Sequence, residues 1–280
     1  MGKYAFIMVI GHKNNKGVYF SRIEAIFNSK SEYIILMDPD DMYLNQNLFR
    51  DLYNYNLKNN LDIIEFTVFN IIEGEKKIFQ PKYKSQSHYH KFIGQIINQP
   101  ELSSILFKDH KINKFSHTIC RNIWNKMIRR DLFSKMCKYI GKDYLKNYVI
   151  TADDMAMNLI IYHFARNFTN IDIPGYLYTI RSVSMSRGNG GDKLLSTRAI
   201  NYYFYFIIFY TYIKQFNYER LSLFYEIWNL QKYIFIIKDL NLNFYISEII
   251  KFLNSILDDN YADKNFKKFI NIILLYFEEE

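Results

Sequence analysis

Three carboxylates fall within the short stretch Asp38-Pro39-Asp40-Asp41, with Pro39 stiffening the bend between them. Ahead of them, Tyr33 to Met37 is an unbroken apolar or aromatic run, the pattern of a short strand buried on both faces. Ligands in open α/β sheets sit beyond the carboxyl ends of such strands. Carboxylates this close repel one another unless a cation sits among them, and an oxygen-rich site suits Mg²⁺ or Mn²⁺. The same residues also suit a plain strand-turn-helix junction, because Asp before Pro is ordinary turn chemistry and Asn45 can cap a following helix. An EF-hand calcium loop is excluded: Met42 and Tyr43 stand where a ligand and a glycine are required. A second acidic pair, Asp153-Asp154, opens a helical stretch with Met155, Leu159 and Tyr162 on its apolar side. There Thr151-x-x-Asp154 also has the spacing of a capping box.

The elements that must position these groups can be read in order. Tyr4 to Ile10 is expected as a first buried strand, His12 to Gly17 as a basic loop, and Val18 to Asn28 as a helix. With Tyr33 to Met37 as the next strand, a β-loop-α-β crossover predicts two parallel neighbours. Leu48, Leu52 and Tyr55 repeat at helical spacing, and Asp62 to Phe69 reads as a strand. Glu73 to Tyr89 is an irregular excursion, and His90 to Phe107 is expected to hold a helix interrupted at Pro100. Thr118 to Ile128 is expected as a strand, and Asp131 begins a helix with the acidic first turn that the helix dipole favours. Ile171 to Ile180 is the last strand, bent at Pro174-Gly175. The glycine-rich stretch from Arg187 to Asp192 is the natural boundary. Beyond it four helices are expected: Tyr202–Ile213, Leu221–Ile237, Phe244–Leu257 and Phe266–Phe277.

Composition narrows the function classes. The 280 residues are 49% hydrophobic and 23% charged, which is globular rather than disordered. A formal net charge of +8 permits a nucleic acid, an anionic lipid surface or a phosphorylated small molecule as partner. No block of like charges stands out, which speaks against nucleic acid. Cys120 and Cys137 are too few and too far apart for a disulfide framework, and His88 and His90 lack zinc-site spacing. Tyr4 to Ile10 lacks a signal-peptide cleavage site, and Tyr202 to Tyr210 falls far short of the ~20 residues of a membrane span. The expectation is a soluble cytoplasmic protein of a reducing compartment.

The order of these parts resembles a family 2 glycosyltransferase with the GT-A nucleotide-sugar-binding fold. Asn15-Lys16-Gly17 followed by Ser21-Arg22 is similar to the family's Asn-x-Gly loop and Ala/Ser-Arg helix start. Tyr33 to Tyr43 resembles its strand leading into an Asp-x-Asp-Asp metal motif, and Trp124-Asn125-Lys126 with Arg130 its acceptor-side strand. Thr151 to Met155 is similar to its acidic pair at a helix start, with Asp153 in place of Glu, and Tyr176 to Ser186 to its closing Tyr-x-Tyr segment. Family members open with a Val-Ser-Ile-Ile-Pro strand, a helix and a base-holding Asp, and here the chain starts after these parts. The resemblance thus implies an N-terminally truncated α/β domain over residues 1–187, with a mostly parallel sheet flanked by helices and exposed sheet edges. A C-terminal α-helical unit over residues 188–280 would follow, placed to cover the sheet, to lie peripherally on a membrane or to mediate self-association.

That resemblance further implies an inverting enzyme that moves a sugar from a nucleoside-diphosphate donor to a hydroxyl acceptor on a glycan, lipid or protein, assisted by Mn²⁺ or Mg²⁺. Asp40 and Asp41 would hold the metal, with Asp38 assisting. Lys16, Arg22 and Arg187 are candidate donor-phosphate contacts, solvated surface charge being the alternative. Asp154 would be the general base, Asp153 would position the acceptor, and Trp124, Asn125 and Lys126 would line the acceptor side. Two rival classes stand beside this one: a catalytically inactive transferase-like binding or assembly module, and a basic, aromatic-rich nucleic-acid-binding protein.

Overall fold

The computed structural model describes residues 7–79, 93–102, 122–140, 153–181, 243–259 and 264–278, with single positions 199, 203, 207, 210, 211 and 214. Helix α1 (Val18–Asn28) starts where Gly17 takes φ 85°, a conformation that favours glycine. Asn15 Oδ1 accepts the Gly17 N–H at 2.9 Å, and Ser21 Oγ donates to the Gly17 carbonyl at 2.9 Å, so the helix start is fixed from both sides. Tyr19, Ile23 and Ile26 recur at helical spacing and bury one face. Helix α2 (Leu48–Asn59) likewise buries Leu48, Leu52 and Asn56, and Asn56 Oδ1 accepts the Leu61 N–H at 2.7 Å to lead the chain into the sheet.

Among the described residues the sheet has seven strands: β1 (Tyr33–Ile35), β2 (Met42–Tyr43), β3 (Ile63–Ile72), β4 (Ile78–Phe79), β5 (Ile96–Asn98), β6 (Lys126–Arg129) and β7 (Asn167–Ile180). The long strands β3 and β7 form a parallel pair down the middle. β6 and β4 pair with β3 on its other side, β5 and β2 with β7 on its other side, and β1 closes the order against β6. The β3–β7 register slips on both sides of Thr67, opposite Pro174, whose missing N–H suits such an irregularity. Next to it, a Cβ on Gly175 would overlap the Phe66 ring and press on Leu48. Only glycine lets β7 lie this close to α2. The core beside it comprises Leu48, Leu52, Leu61, Ile64, Phe66 and Tyr176, with Trp124 and Met127 from the β6 side.

Helices α3 (Arg130–Ile140) and α4 (Asp153–Phe164) pack on one another. Met157 to Tyr162 are all buried, so α4 is a helix enclosed on every side rather than an amphipathic surface helix. A charged clamp ties the start of β3 to its neighbours. Asp62, 2% exposed, accepts from Arg129 Nε at 2.9 Å and from Arg166 Nη2 at 2.6 Å, with the Arg166 backbone N–H on its other oxygen at 2.8 Å. Burial raises the Asp62 carboxyl, but the hydrogen bonds from Arg166 and Arg129 outweigh it and hold it below its ordinary value. Helices α5 (Asn243–Leu257) and α6 (Lys264–Glu278) pack together, as the C-terminal periodicity predicts. Among the described residues no helix is long and apolar enough to cross a membrane.

Several sequence expectations are corrected. The class is α/β, but the sheet is mixed: β3–β7 is the one parallel ladder among the described strands. The reason is that β6 inserts antiparallel between β1 and β3, while β2, β4 and β5 are short antiparallel additions at the edges. Residues 7–10 form no strand, and Ile7, Met8 and Val9 are 90%, 66% and 88% exposed; residues 1–6 lie outside the described part. An apolar run makes a strand only where a neighbour supplies backbone partners. β1 is not buried on both faces, since only Ile34 is buried and the strand ends at Ile35. Residues 122–125 turn before the strand begins at Lys126, and residues 96–98 form β5 where a helix was expected. The boundary at 187–192, residues 221–237 and Cys120 lie outside the described residues.

Candidate active site

The acidic turn is built by β1, β2 and β7 together. After β1 the chain bends at Pro39, and the Asp41 N–H donates to the Asp38 carbonyl at 3.2 Å. Pairing of Met42 and Tyr43 with Leu177 and Tyr176 then draws Asp41 onto β7. There Asp41 Oδ1 accepts the Thr179 N–H at 2.7 Å and Oδ2 accepts the Tyr176 hydroxyl at 2.8 Å, leaving the residue 8% exposed. The Tyr176 hydroxyl in turn accepts the Asp38 N–H at 3.1 Å. Burial above all pushes the Tyr176 phenol upward, and the carboxylates of Asp41 and Asp38 add to it. It is a fixed donor here, never a phenolate. Burial also raises the Asp41 carboxyl, against the hydrogen bonds from Thr179 and Tyr176.

Asp38 and Asp154 meet at Arg22. Arg22 Nη2 donates to Asp38 Oδ1 at 2.6 Å, and Arg22 Nη1 donates to Asp154 Oδ1. Burial raises the Asp38 carboxyl; the Arg22 charge opposes this and Asp154 reinforces it. Asp154 sits in the first turn of α4, and its Oδ2 accepts the Ile123 N–H at 3.3 Å. Thus α1, the end of β1 and the start of α4 converge on one place, as the sequence requires of a shared site. Asp40 is the more open member of the turn, its side chain 33% exposed and, among the described residues, its nearest cation the Arg181 Nε at 3.6 Å.

The remaining candidates separate. Lys16 is exposed on the loop before α1, with Nζ 4.5 Å from the centre of the Phe20 ring. Trp124 is 7% exposed and stacks on Tyr176 at 4.3 Å and on Tyr178 at 5.5 Å, so its ring packs against β7 instead of lying open. Asn125 and Lys126 are buried too. The Asn125 amide donates to Glu65 Oε1 at 2.9 Å, and Lys126 Nζ donates to Asn125 Oδ1 at 3.0 Å and lies 3.7 Å from Glu65 Oε2. The three therefore join β6 to β3 beneath the site. Asp153 belongs to α4, but its side chain lies outside the described residues, as does Arg187 altogether.

Sequence reasoning missed Tyr176 and Arg181 as site residues. Tyr176 stood only as part of a closing segment, and its link to Asp38 and Asp41 is purely tertiary. Arg181 follows the last strand as an ordinary basic residue, and its place between Asp40 and Glu73 depends on how β7 ends.

Among the described residues no group of three or more His, Cys, Asp or Glu side chains converges as a metal site. Both Asp41 oxygens already accept hydrogen bonds, and one Asp38 oxygen is held by Arg22. The carboxylates fit a cation bound through one or two of them with other ligands completing its shell, and they do not fit an all-protein cage.

No curated protein matches the chain. Among solved structures it is similar to S. aureus TarS, at 14% identity over 67% of this chain and 27% of that one, with a TM-score of 0.41. It is also similar to S. aureus TarS 1-349, at 12% identity over 88% of this chain and 61% of that one, with a TM-score of 0.46. The chain thus spans less than two thirds of either structure's length. The family model described as Glycosyl transferase family 2 matches residues 3–137, a stretch that holds Lys16, Arg22, the acidic turn and Trp124-Asn125-Lys126 and ends before Asp154. Over residues 3–137 this chain is thus similar to glycosyl transferase family 2.

Proposed function

We propose that the protein transfers a sugar from a nucleoside-diphosphate donor to a hydroxyl acceptor with inversion, assisted by a divalent cation. The observation that carries this reading is the meeting of the acidic turn and Asp154 across Arg22. Donor binding and proton removal need to lie side by side, and the shared arginine supports that reading. Asp40, the most open carboxylate of the turn, would hold Mg²⁺ or Mn²⁺ jointly with the donor's phosphate oxygens, while Asp41 anchors the turn to β7. The cation would supply Lewis-acid stabilisation of the departing diphosphate. Arg181 adds positive charge beside this turn, and Lys16 and Arg187 are further phosphate-contact candidates from the sequence.

Asp154 takes the proton of the acceptor hydroxyl as that oxygen forms its bond to the anomeric carbon and the bond to the diphosphate breaks. A single displacement of this kind inverts the configuration. Asp153 would help place the acceptor. Trp124, Asn125 and Lys126 act from beneath, by fixing β6, β3 and Tyr176, since none of them is open to a sugar. Titration calorimetry with Mn²⁺ and a panel of UDP- and GDP-sugars tests the reading, together with release of the nucleoside diphosphate. Binding of at least one donor, dependent on Mn²⁺, is expected; failure of every donor to bind would overturn it.

A further inference from the structure

Arg22 and Asp38 were read from the sequence as donor-side residues, but their geometry serves the other half of the reaction. We propose that they are positioning residues for the base: Asp38 holds Arg22, and Arg22 holds Oδ1 of Asp154, leaving Oδ2 to take the acceptor's proton. The assignment rests on the transferase reading of this site.

Three observations support it. The two terminal nitrogens of one guanidinium are aimed at two carboxylates from different elements, Nη2 at Asp38 at 2.6 Å and Nη1 at Asp154. A planar fork can hold both at once, which a point charge cannot. The side chains of Arg22, Asp38 and Asp154 are only 13%, 28% and 17% exposed, so these ion pairs are shielded from water and hold their partners firmly. Lastly, among the described residues Asp154 Oδ2 has only the long 3.3 Å contact with the Ile123 N–H, so it keeps lone-pair capacity for a proton, whereas Oδ1 faces the arginine. Without Arg22, Asp38 and Asp154 would face each other as bare like charges, and the carboxylate would turn away from its working direction. The rotamer of Asp154 is therefore set by α1, an element distant in sequence, more than by its own helix start.

The test compares Asp38→Asn, Arg22→Gln and Arg22→Lys with the wild-type chain. Turnover is read as nucleoside-diphosphate release from UDP- and GDP-sugars with Mn²⁺, donor affinity by calorimetry, and folding by circular dichroism. Asp38→Asn and Arg22→Gln are each expected to lower kcat about 10²-fold, the usual effect of a misplaced catalytic group, with donor Kd moved on the order of threefold or less. Arg22→Lys recovers only part of the loss, and methylguanidinium partly restores turnover to Arg22→Ala. Should Arg22→Gln fail to fold, the Asp38→Asn/Arg22→Gln pair removes one charge of each sign and carries the same comparison. If Asp38→Asn instead weakens donor binding with kcat preserved, Asp38 is a donor ligand and the proposal is wrong. Wild-type kcat in folded Arg22→Gln overturns it equally. A wild-type chain that turns over no donor would overturn the transferase reading itself, a different result from either of these.

Discussion

Asp38 and Asp154 accept hydrogen bonds from opposite terminal nitrogens of a single guanidinium, that of Arg22. One residue lies in the turn after the first strand of the sheet and the other in the first turn of a buried helix. The contact makes one site of two acidic groups, and each prediction below concerns a part that builds it or holds it.

Asp40→Asn is expected to weaken Mn²⁺-dependent donor binding while leaving the fold intact, because the Asp40 side chain is 33% exposed and, among the described residues, its ion-pair partner is Arg181 at 3.6 Å. A neutral amide is a poor ligand for a hard cation. Calorimetry with and without Mn²⁺ should show the metal's contribution to donor affinity falling away in the variant; an unchanged Mn²⁺ effect would place the cation elsewhere.

Asp154→Asn should leave donor binding nearly intact and lower turnover by roughly 10²–10⁴, the range that general-base catalysis supplies. If it loses donor binding as completely as Asp40→Asn, the division of roles between the turn and α4 is wrong.

Tyr176→Phe removes the hydroxyl that donates to Asp41 and accepts from the Asp38 N–H. A buried carboxylate oxygen and a backbone N–H then lose their partner, which costs on the order of 1–3 kcal/mol. Urea unfolding should show that loss, with Tyr176→Phe also lowering donor affinity as the turn loosens.

Gly175→Ala is expected to destabilise by about 1–3 kcal/mol, the usual effect of overpacking, because the added methyl meets the Phe66 ring and Leu48. Chemical denaturation of the pair Gly175→Ala and Gly175→Ala/Phe66→Leu checks the cause: the smaller side chain should recover part of the loss.

Acid should act on the two carboxylate groups in opposite senses. Asp62 is held below its ordinary 3.8, so its stabilisation is complete above that value and is lost as pH falls through the lower folded value. Asp38 and Asp41 are raised by burial, so the folded state binds their protons more tightly than the unfolded chain does. Their contribution is fullest below 3.8 and declines as pH rises through the raised values. Urea midpoints measured from neutral pH downward should therefore first hold or rise and then fall, and Asp62→Asn should abolish the final fall. A fall that persists unchanged in Asp62→Asn would assign acid lability to another group.

By itself the sequence determined the local pieces. Helical spacing of Phe20, Ile23, Ile26 and Phe27, or of Leu48, Leu52 and Tyr55, marks α1 and α2 because such a stripe needs no distant partner to be recognised. Packing, however, buries Tyr19 with Ile23 and Ile26 and leaves Phe27 exposed. The acidic turn after an apolar run and the acidic pair at a helix start were likewise legible, as was the helical character of α5 and α6. Only the tertiary structure decided pairing and exposure, since those depend on which segments become neighbours. Residues 7–10 have strand composition but no strand, and β6 separates β1 from β3, which a run of apolar letters cannot reveal. Trp124, Asn125 and Lys126 look available in the sequence, yet stacking on Tyr176 and pairing with Glu65 bury them. Arg22 could be named from sequence as a cation near a phosphate. That it clasps Asp38 and Asp154 follows from α1 packing where a guanidinium can reach both, a matter of distance in space that no spacing along the chain encodes.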